Sequence, residues 1–388
     1  MSGALPEVWI LQPRIEHYRL PVFDRLAAAG ADRFRLKVLG PMRNGEAAGG
    51  GRRDYFIEFP YRQQRWVGTL FHKWPSINQY IREKRPAVVV VNTHLRHPDC
   101  WQLPKICRDN GATAVAWSKV HSFSGAPAPL LKVMKRRMFE RFELFIVYGE
   151  LARSELRNLG IPQERIFVAQ NTVDTAHIFE RGDEIRRRAV ELRRRHGLDD
   201  ARVLLSIARF DPEKRLSDLL AAWPRLREAD PDLRLVLVGD GPLLDDLRDR
   251  AAAIDRERIL LIGRAPEGDD YAWIAAADAT IQCGAVGLAM NQSMALGVPT
   301  VIADEIGSDT EILVDGRTGW RYPRGDIRRL AETVEEALFT SEARQRITTA
   351  AQVLLRDHAS IQKMTQSMST CIDRALGLRQ QKREHFAN

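Results

Sequence analysis

Two cations stand five positions apart in Ser206-Ile207-Ala208-Arg209-Phe210-Asp211-Pro212-Glu213-Lys214-Arg215, directly after an apolar run. A run that ends in a proline turn, with a helix starting near Leu216, reads as the carboxyl end of a parallel strand. Open α/β folds bind their ligands at that edge. A guanidinium and an ammonium placed there suit a diphosphate, Arg209 through a bidentate fork and Lys214 as a point charge. A second turn, Gly284-Ala285-Val286-Gly287-Leu288, lies between the apolar run 279–283 and a helical stretch reaching Leu296. Glycines in such a turn let backbone N–H groups come close to an anion, and a helix amino terminus adds about half a positive charge. Each feature has a plainer reading, a solvated basic residue or a tight turn that needs glycine for packing. Taken together they describe a phosphate cradle. Val238-Gly239-Asp240-Gly241-Pro242 and Asp315-Gly316-Arg317-Thr318-Gly319-Trp320 add strand-end turn chemistry of the same kind.

These turns need a sheet to carry them. Apolar runs of strand length occur at residues 8–11, 34–39, 87–91, 113–117, 144–148, 166–169, 203–207, 233–239, 259–263, 279–283 and 299–303, separated by segments of helical period. Several are unbroken Val, Ile and Leu, as in strands buried on both faces of a parallel sheet. The fold class is α/β. Eleven strands exceed what one open twisted sheet comfortably holds, so two domains are expected. The charged, strand-poor stretch containing Arg186-Arg187-Arg188 and Arg193-Arg194-Arg195 places the break near residue 175. The expected domains are 1–175 and 176–360, followed by a helix over 361–388 that crosses back to the first domain.

The chain has 388 residues, and 59 Lys and Arg against 51 Asp and Glu give a net charge of +8. No window offers the roughly 20 apolar residues of a membrane-spanning helix. Residues 1–20 carry Glu7, Arg14, Glu16 and Arg19 in place of a signal-peptide core, so a cytoplasmic location is expected. Cys100, Cys107, Cys283 and Cys371 have neither metal-ligand nor disulfide spacing, and no structural metal or disulfide is expected. The glycine-rich stretch 41–53 reads as a loop, either a flap over a cleft or an ordinary connector.

The ordered motifs Ala208-Arg209 to Lys214, Leu237-Val238-Gly239-Asp240-Gly241-Pro242, Gly287-Leu288 to Met294-Ala295-Leu296-Gly297-Val298-Pro299-Thr300-Val301, and Asp315-Gly316-Arg317-Thr318-Gly319 resemble the carboxyl-terminal domain of glycosyltransferase family 4. Val147-Tyr148-Gly149 and Asn171-Thr172-Val173-Asp174 resemble its interdomain region. The resemblance spans about residues 145–325. It implies the GT-B architecture, two Rossmann-like domains facing a central cleft. It also implies retaining transfer from a nucleotide diphosphate sugar, with no cofactor and no metal. By the same resemblance Arg209 and Lys214 grip the donor diphosphate, backbone amides near Gly287 and Leu288 touch it, and Gly263 and Arg264 lie against the base. Glu311, leading into the Asp315 turn, joins the donor-binding set. The family usually carries two glutamates with seven residues between them across this turn and helix. Here those positions are Gly284 and Gln292, of which only Gln292 can hydrogen-bond a ribose, and without a carboxylate. Polysaccharide-synthesis members with a Val-Gly-Leu turn also lack the pair.

The amino-terminal half is expected to supply the acceptor face. Arg14, Glu16, His17, Tyr18 and Arg19 follow the first strand, His94 and His97 follow the run 87–91, and Lys119 and His121 follow the run 113–117. His121 is the candidate for a cleft histidine hydrogen-bonding a sugar or acceptor hydroxyl, while Arg14, His17, Tyr18 and Lys119 form the acceptor side. Lys132-Val133-Met134-Lys135-Arg136-Arg137-Met138-Phe139 mixes cations with apolar groups at near-helical spacing. It reads either as a face lying on anionic lipid at the inner side of the membrane, near a lipid-linked acceptor, or as a helix whose apolar side packs inward. No nucleic-acid motif is present and none is expected as partner. The leading expectation is a glycosyltransferase acting on a glycan, lipid-linked or small-molecule acceptor. The alternatives are a nucleotide-sugar epimerase and a catalytically degenerate nucleotide-sugar-binding or scaffold protein.

Overall fold

The computed structural model describes residues 4–13, 15–41, 53–66, 69–94, 97–120, 129–266, 268–304 and 310–387. The chain divides into two compact units, Met1–Asn171 with Ile361–Asn388, and Thr172–Ser360. The division thus falls slightly before residue 175, and residues 361–388 belong to the first unit.

Unit 1 contains β1 (Glu7–Leu11), β2 (Arg35–Gly40), β3 (Phe56–Glu58), β4 (Arg62–Trp66), β5 (Thr69–Lys73), β6 (Val88–Asn92), β7 (Thr113–Ser118), β8 (Leu144–Val147) and β9 (Ile166–Val168). Seven form one sheet in the order β3-β2-β1-β6-β7-β8-β9, with every neighbouring pair parallel. β4 and β5 form a separate antiparallel hairpin. The unbroken valines of β6 show why the central strands carry no polar alternation. Val89 and Val91 join one apolar cluster with Trp9, Leu11 and Trp74, while Val88 and Val90 join another on the opposite face with Val8, Ile10 and Phe23. The helix Ile361–Ala387 closes that second face, since Ile361, Met364, Met368, Cys371, Ile372 and Ala375 recur at helical spacing and are all fully buried in the second cluster. Burying each large apolar side chain contributes about 1.5–3 kcal/mol, which ties the end of the chain to unit 1.

Unit 2 contains β10 (Arg202–Ile207), β11 (Leu233–Val238), β12 (Ile259–Gly263), β13 (Ala279–Gln282), β14 (Thr300–Ala303) and β15 (Trp320–Tyr322). They form one parallel sheet in the order β12-β11-β10-β13-β14-β15. Leu204, Leu235 and Leu237 face the helix Leu216–Ala229, and Val203, Leu205, Val236 and Val238 pack with Trp273 on the other side. Both units are Rossmann-like α/β sheets covered on two faces, the GT-B pattern of domains.

All eleven apolar runs are strands. The hairpin β4–β5 and the short edge strands β3 and β15 have no such run in the sequence. Phe56–Glu58 and Trp320–Tyr322 each include a charged residue and show no continuous apolar run, and their pairing is set by the neighbouring strand. Among the described residues, no helix is long and apolar enough to cross a membrane.

Candidate active site

In unit 2 the chain leaves β10 toward β11 and β12 on one side, and β13 opens the run toward β14 and β15 on the other. The adjacent carboxyl ends of β10 and β13 are therefore the topological switch point, the edge at which open α/β sheets bind their ligands. The loop after β10 carries Arg209 and Lys214, and the loop after β13 carries Gly284 and Gly287.

These two loops are joined by their backbones. Ala285 N–H donates to Glu213 O at 2.9 Å, and Lys214 Nζ donates to Ala285 O at 2.6 Å. The approach is possible only because residue 284 has no side chain: a Cβ there would stand 2.0 Å from Glu213 O. The loop after β11 is bound in the same way, with Phe210 N–H donating to Asp240 O at 2.9 Å and a Cβ on Gly239 meeting Ala208 O at 1.8 Å. Across the turn, Gln282 Oε1 accepts from Gly287 N–H at 2.7 Å and sets the path into the helix Ala289–Leu296. The Lys214 ammonium lies 3.9 Å from where a Cβ on Gly287 would stand. An ammonium, a glycine corner and the start of a helix thus share one place. The recess beneath them, between Ser206, Lys214, Gln282 and Gly284, encloses about 10 Å³, room for one water molecule. Anything larger must bind on the outer, solvent side of the loops.

The other residues expected on the donor side belong to the same unit. Arg209 leaves the same loop, but its side chain is 60% exposed and its Nε donates to Asp211 Oδ2 at 2.9 Å. Gly263 ends β12 in the left-handed region at φ +78°, where its carbonyl accepts from Gly239 N–H at 2.8 Å, and Arg264 beside it is exposed. Leu288 immediately precedes the helix. Gln292, one turn into that helix, bonds the Tyr271 hydroxyl, whose pKa burial pushes up to about 12. Glu311 sits in a turn packed on the same helix, since Ile312 and Leu313 share an apolar cluster with Val286, Met290 and Met294. Gln282, Tyr271 and Asp211 escape sequence reasoning. Gln282 lies inside the apolar run 279–283 and Tyr271 in no singled-out motif, and nothing in their local pattern marks the atoms they hold.

Unit 1 has its own switch point between β1 and β6. The loop after β1 carries Tyr18 and Arg19. Arg14 and His121 lie outside the described residues, as do the side chain of His17 and residues 42–52 of the glycine-rich loop. Arg19 is 8% exposed. Its guanidinium lies 5.4–5.5 Å from the ring centroids of Tyr18, Trp117 and Tyr148, and it donates to Asn171 Oδ1 at 2.5 Å. Lys119, past the end of β7, is exposed, and its ammonium is 5.8 Å from the Tyr148 ring. Burial raises the Tyr18 pKa, against a smaller lowering by Arg19. Tyr18 and Lys119 therefore meet around Tyr148, and Arg19 joins them as a third member. His97 lies apart from them, buried, with its Nε2 3.1 Å from the Tyr61 hydroxyl. Among the described residues, no three His, Cys, Asp or Glu side chains are grouped to share a metal ion.

Two family models match the chain: Glycosyltransferase Family 4 over residues 22–177 and Glycosyl transferases group 1 over residues 190–353. The alpha-D-kanosaminyltransferase of Streptomyces kanamyceticus is 26% identical over 231 residues, 58% of each chain. The GDP-mannose-dependent alpha-(1-6)-phosphatidylinositol monomannoside mannosyltransferase of Mycolicibacterium smegmatis is 26% identical over 246 residues, 61% of this chain and 63% of the relative. The chain thus matches somewhat over half the length of these curated relatives. Among solved structures, Anabaena Alr3699/HepE in complex with UDP superposes with a TM-score of 0.70 at 16% identity, covering 95% of this chain and all of the other. Sucrose-phosphate synthase from Thermosynechococcus elongatus gives 0.66 at 14% identity, covering 98% and 99%. At such identities the structures show the shared fold.

Proposed function

Since the chain belongs to glycosyltransferase family 4, we propose that it transfers a sugar, with retention of anomeric configuration, from a nucleotide diphosphate sugar to a glycan, lipid-linked or small-molecule acceptor. The observation that carries this reading is the meeting of Lys214, Gly284, Gly287 and a helix start at the switch point of unit 2. In the reaction the bond from the anomeric carbon to the outer diphosphate oxygen breaks, a bond to the acceptor oxygen forms, and the acceptor proton passes to the departing diphosphate. Negative charge grows on that leaving group, and donors already fixed in place stabilise it without reorganising. Lys214 supplies the point charge there, and the helix start and the amides near Gly287 and Leu288 supply dipoles. Arg209 reaches the diphosphate from the rim, where its Nε donates to Asp211 Oδ2.

Gln292, Gly263, Arg264 and Glu311 complete the donor side, and the Tyr18 and Lys119 edge of unit 1 receives the acceptor. Complexes of Alr3699/HepE with UDP and UDP-glucose, and the GDP-mannose dependence in a relative's name, make uridine and guanosine nucleotides the first to try. A thermal-shift screen against UDP, GDP, ADP, TDP and their sugar conjugates is expected to find one base that raises Tm. A panel in which every compound leaves Tm unchanged removes the reading. Because the diphosphate charge is met by Lys214, Arg209 and backbone dipoles, turnover is expected to persist in excess EDTA. Loss of activity with chelator, restored by a divalent cation, would contradict this assignment.

A lipid-linked acceptor has its own support. On the helix Pro129–Phe139, Lys132, Val133, Met134, Arg136 and Arg137 are exposed, with Val133 at 46% and Met134 at 37%. Lys135, counted with this face in the sequence, turns inward and is buried, as are Met138 and Phe139. The cations and apolar groups that remain outside suit the interface of an anionic bilayer. Flotation with phosphatidylglycerol vesicles at moderate salt is expected to carry the protein upward, and Val133→Glu with Met134→Glu to abolish it. A wild-type protein that stays in the dense fraction rules out this surface.

A further inference from the structure

We propose that Lys135 is a positioning residue for the acceptor edge, its buried ammonium holding a strained backbone corner that presents Lys119. The consequence for turnover rests on the function proposed above, whereas the corner itself does not.

β7 ends at Ser118, and the chain turns at once through Lys119 and Val120. Val120 has φ +62°, in the left-handed region, where a β-branched side chain is a true outlier. Such strain persists only where the surroundings over-determine it, and it collects at functional positions. Unit 2 repeats the arrangement at its own edge: Lys214 is followed by Arg215 at φ +52°. In each unit a lysine at the carboxyl edge of the sheet directly precedes a left-handed residue that is not glycine.

Three contacts hold the Val120 corner. Its side chain is 6% exposed, in an apolar cluster with Met138, Phe139 and Phe142. Its N–H donates to Ser118 Oγ at 3.1 Å. Its carbonyl accepts from Lys135 Nζ at 2.8 Å, and the same ammonium lies 3.3 Å from Glu155 Oε1. Lys135 therefore ties together the corner, its own helix and the helix Glu150–Asn158. Burying an ammonium costs free energy that an apolar side chain of similar length would not, so a lysine here is explained by the atom it holds rather than by stability. Packing alone would be served by methionine.

The test separates the bond to Val120 from the ion pair. Backbone hydrogen exchange is followed by mass spectrometry on peptides spanning Ser118–Val120 in wild type, Lys135→Met, Glu155→Gln, and Lys135→Met combined with Val120→Gly. Lys135→Met is expected to speed exchange at the corner by about tenfold or more, and Glu155→Gln by no more than about twofold. Glycine at position 120 adopts the left-handed region without strain and is expected to restore protection in the double variant. Equal effects of Lys135→Met and Glu155→Gln, or no effect of Lys135→Met, overturn the proposal. In transfer from the donor selected by the screen to octyl hexosides, Lys135→Met is expected to raise acceptor KM about tenfold while nucleotide binding stays within about twofold. Failure of every nucleotide to bind would remove the glycosyl-transfer reading and leave the exchange result to decide the corner.

Discussion

Lys214→Ala is expected to lower kcat about 10²–10³-fold, equivalent to about 3–4 kcal/mol of transition-state stabilisation, the usual cost of removing one fixed donor from a developing anion. Binding of the nucleoside diphosphate should weaken much less, because charge on the leaving oxygen is greatest in the transition state. The fold should survive. The side chain's bond to Ala285 O is lost, but the backbone bond between Ala285 and Glu213 still joins the two loops. Lys214→Arg should restore little activity, since a planar fork does not replace a compact ammonium seated over so small a recess. Steady-state kinetics beside calorimetric binding of the diphosphate check the split. A Lys214→Ala enzyme with wild-type kcat would remove Lys214 from the chemistry.

Gly284→Glu, which would install the carboxylate most family members carry at this position, is expected to abolish activity instead of improving it. A Cβ at residue 284 would lie 2.0 Å from Glu213 O and 2.9 Å from the Lys214 carbonyl carbon. Both neighbours are backbone, so no side-chain rotation relieves the clash and the Lys214 loop must move. Gly284→Ala carries the same collision without the charge. Each is expected to cost about 1–3 kcal/mol, the usual range for overpacking, and to lower Tm by several degrees. Nucleotide binding should be lost in both. If Gly284→Ala keeps wild-type Tm and binding, the close contact of the two loops is not what builds the site. The missing glutamate thus has a local steric reason: in this chain the β10 loop occupies the space its side chain would need.

Much of this was legible in the sequence because the responsible physics is local or strictly periodic. A central strand such as β6 must be apolar throughout, since both its faces are covered, and such a run is visible in four consecutive valines. The turn after β13 was legible as a close strand-to-helix junction because of its glycines, and the structure shows the close approach between Gly284 and the Glu213 carbonyl. What stayed hidden depends on contacts between distant segments. Nothing near position 282 announces that its amide will accept from Gly287, and nothing near Lys135 announces that it will reach back to Val120. Helical spacing placed Lys135 among exposed cations, and only the packing of the neighbouring helix turned it inward. The same holds for Arg19, which the sequence shows only as one of several polar residues after the first strand and the structure buries among three aromatic rings. Gly284 was legible as a departure from the family, but its cause needed the Glu213 carbonyl in place.

A crystal structure of the protein with the nucleoside diphosphate selected by the thermal-shift screen tests the central claim most directly. The diphosphate oxygens are expected within about 2.7–3.2 Å of Lys214 Nζ and of backbone N–H groups at the start of the helix Ala289–Leu296, outside the small recess. A diphosphate bound elsewhere, with Lys214 still donating only to protein atoms, would contradict the account.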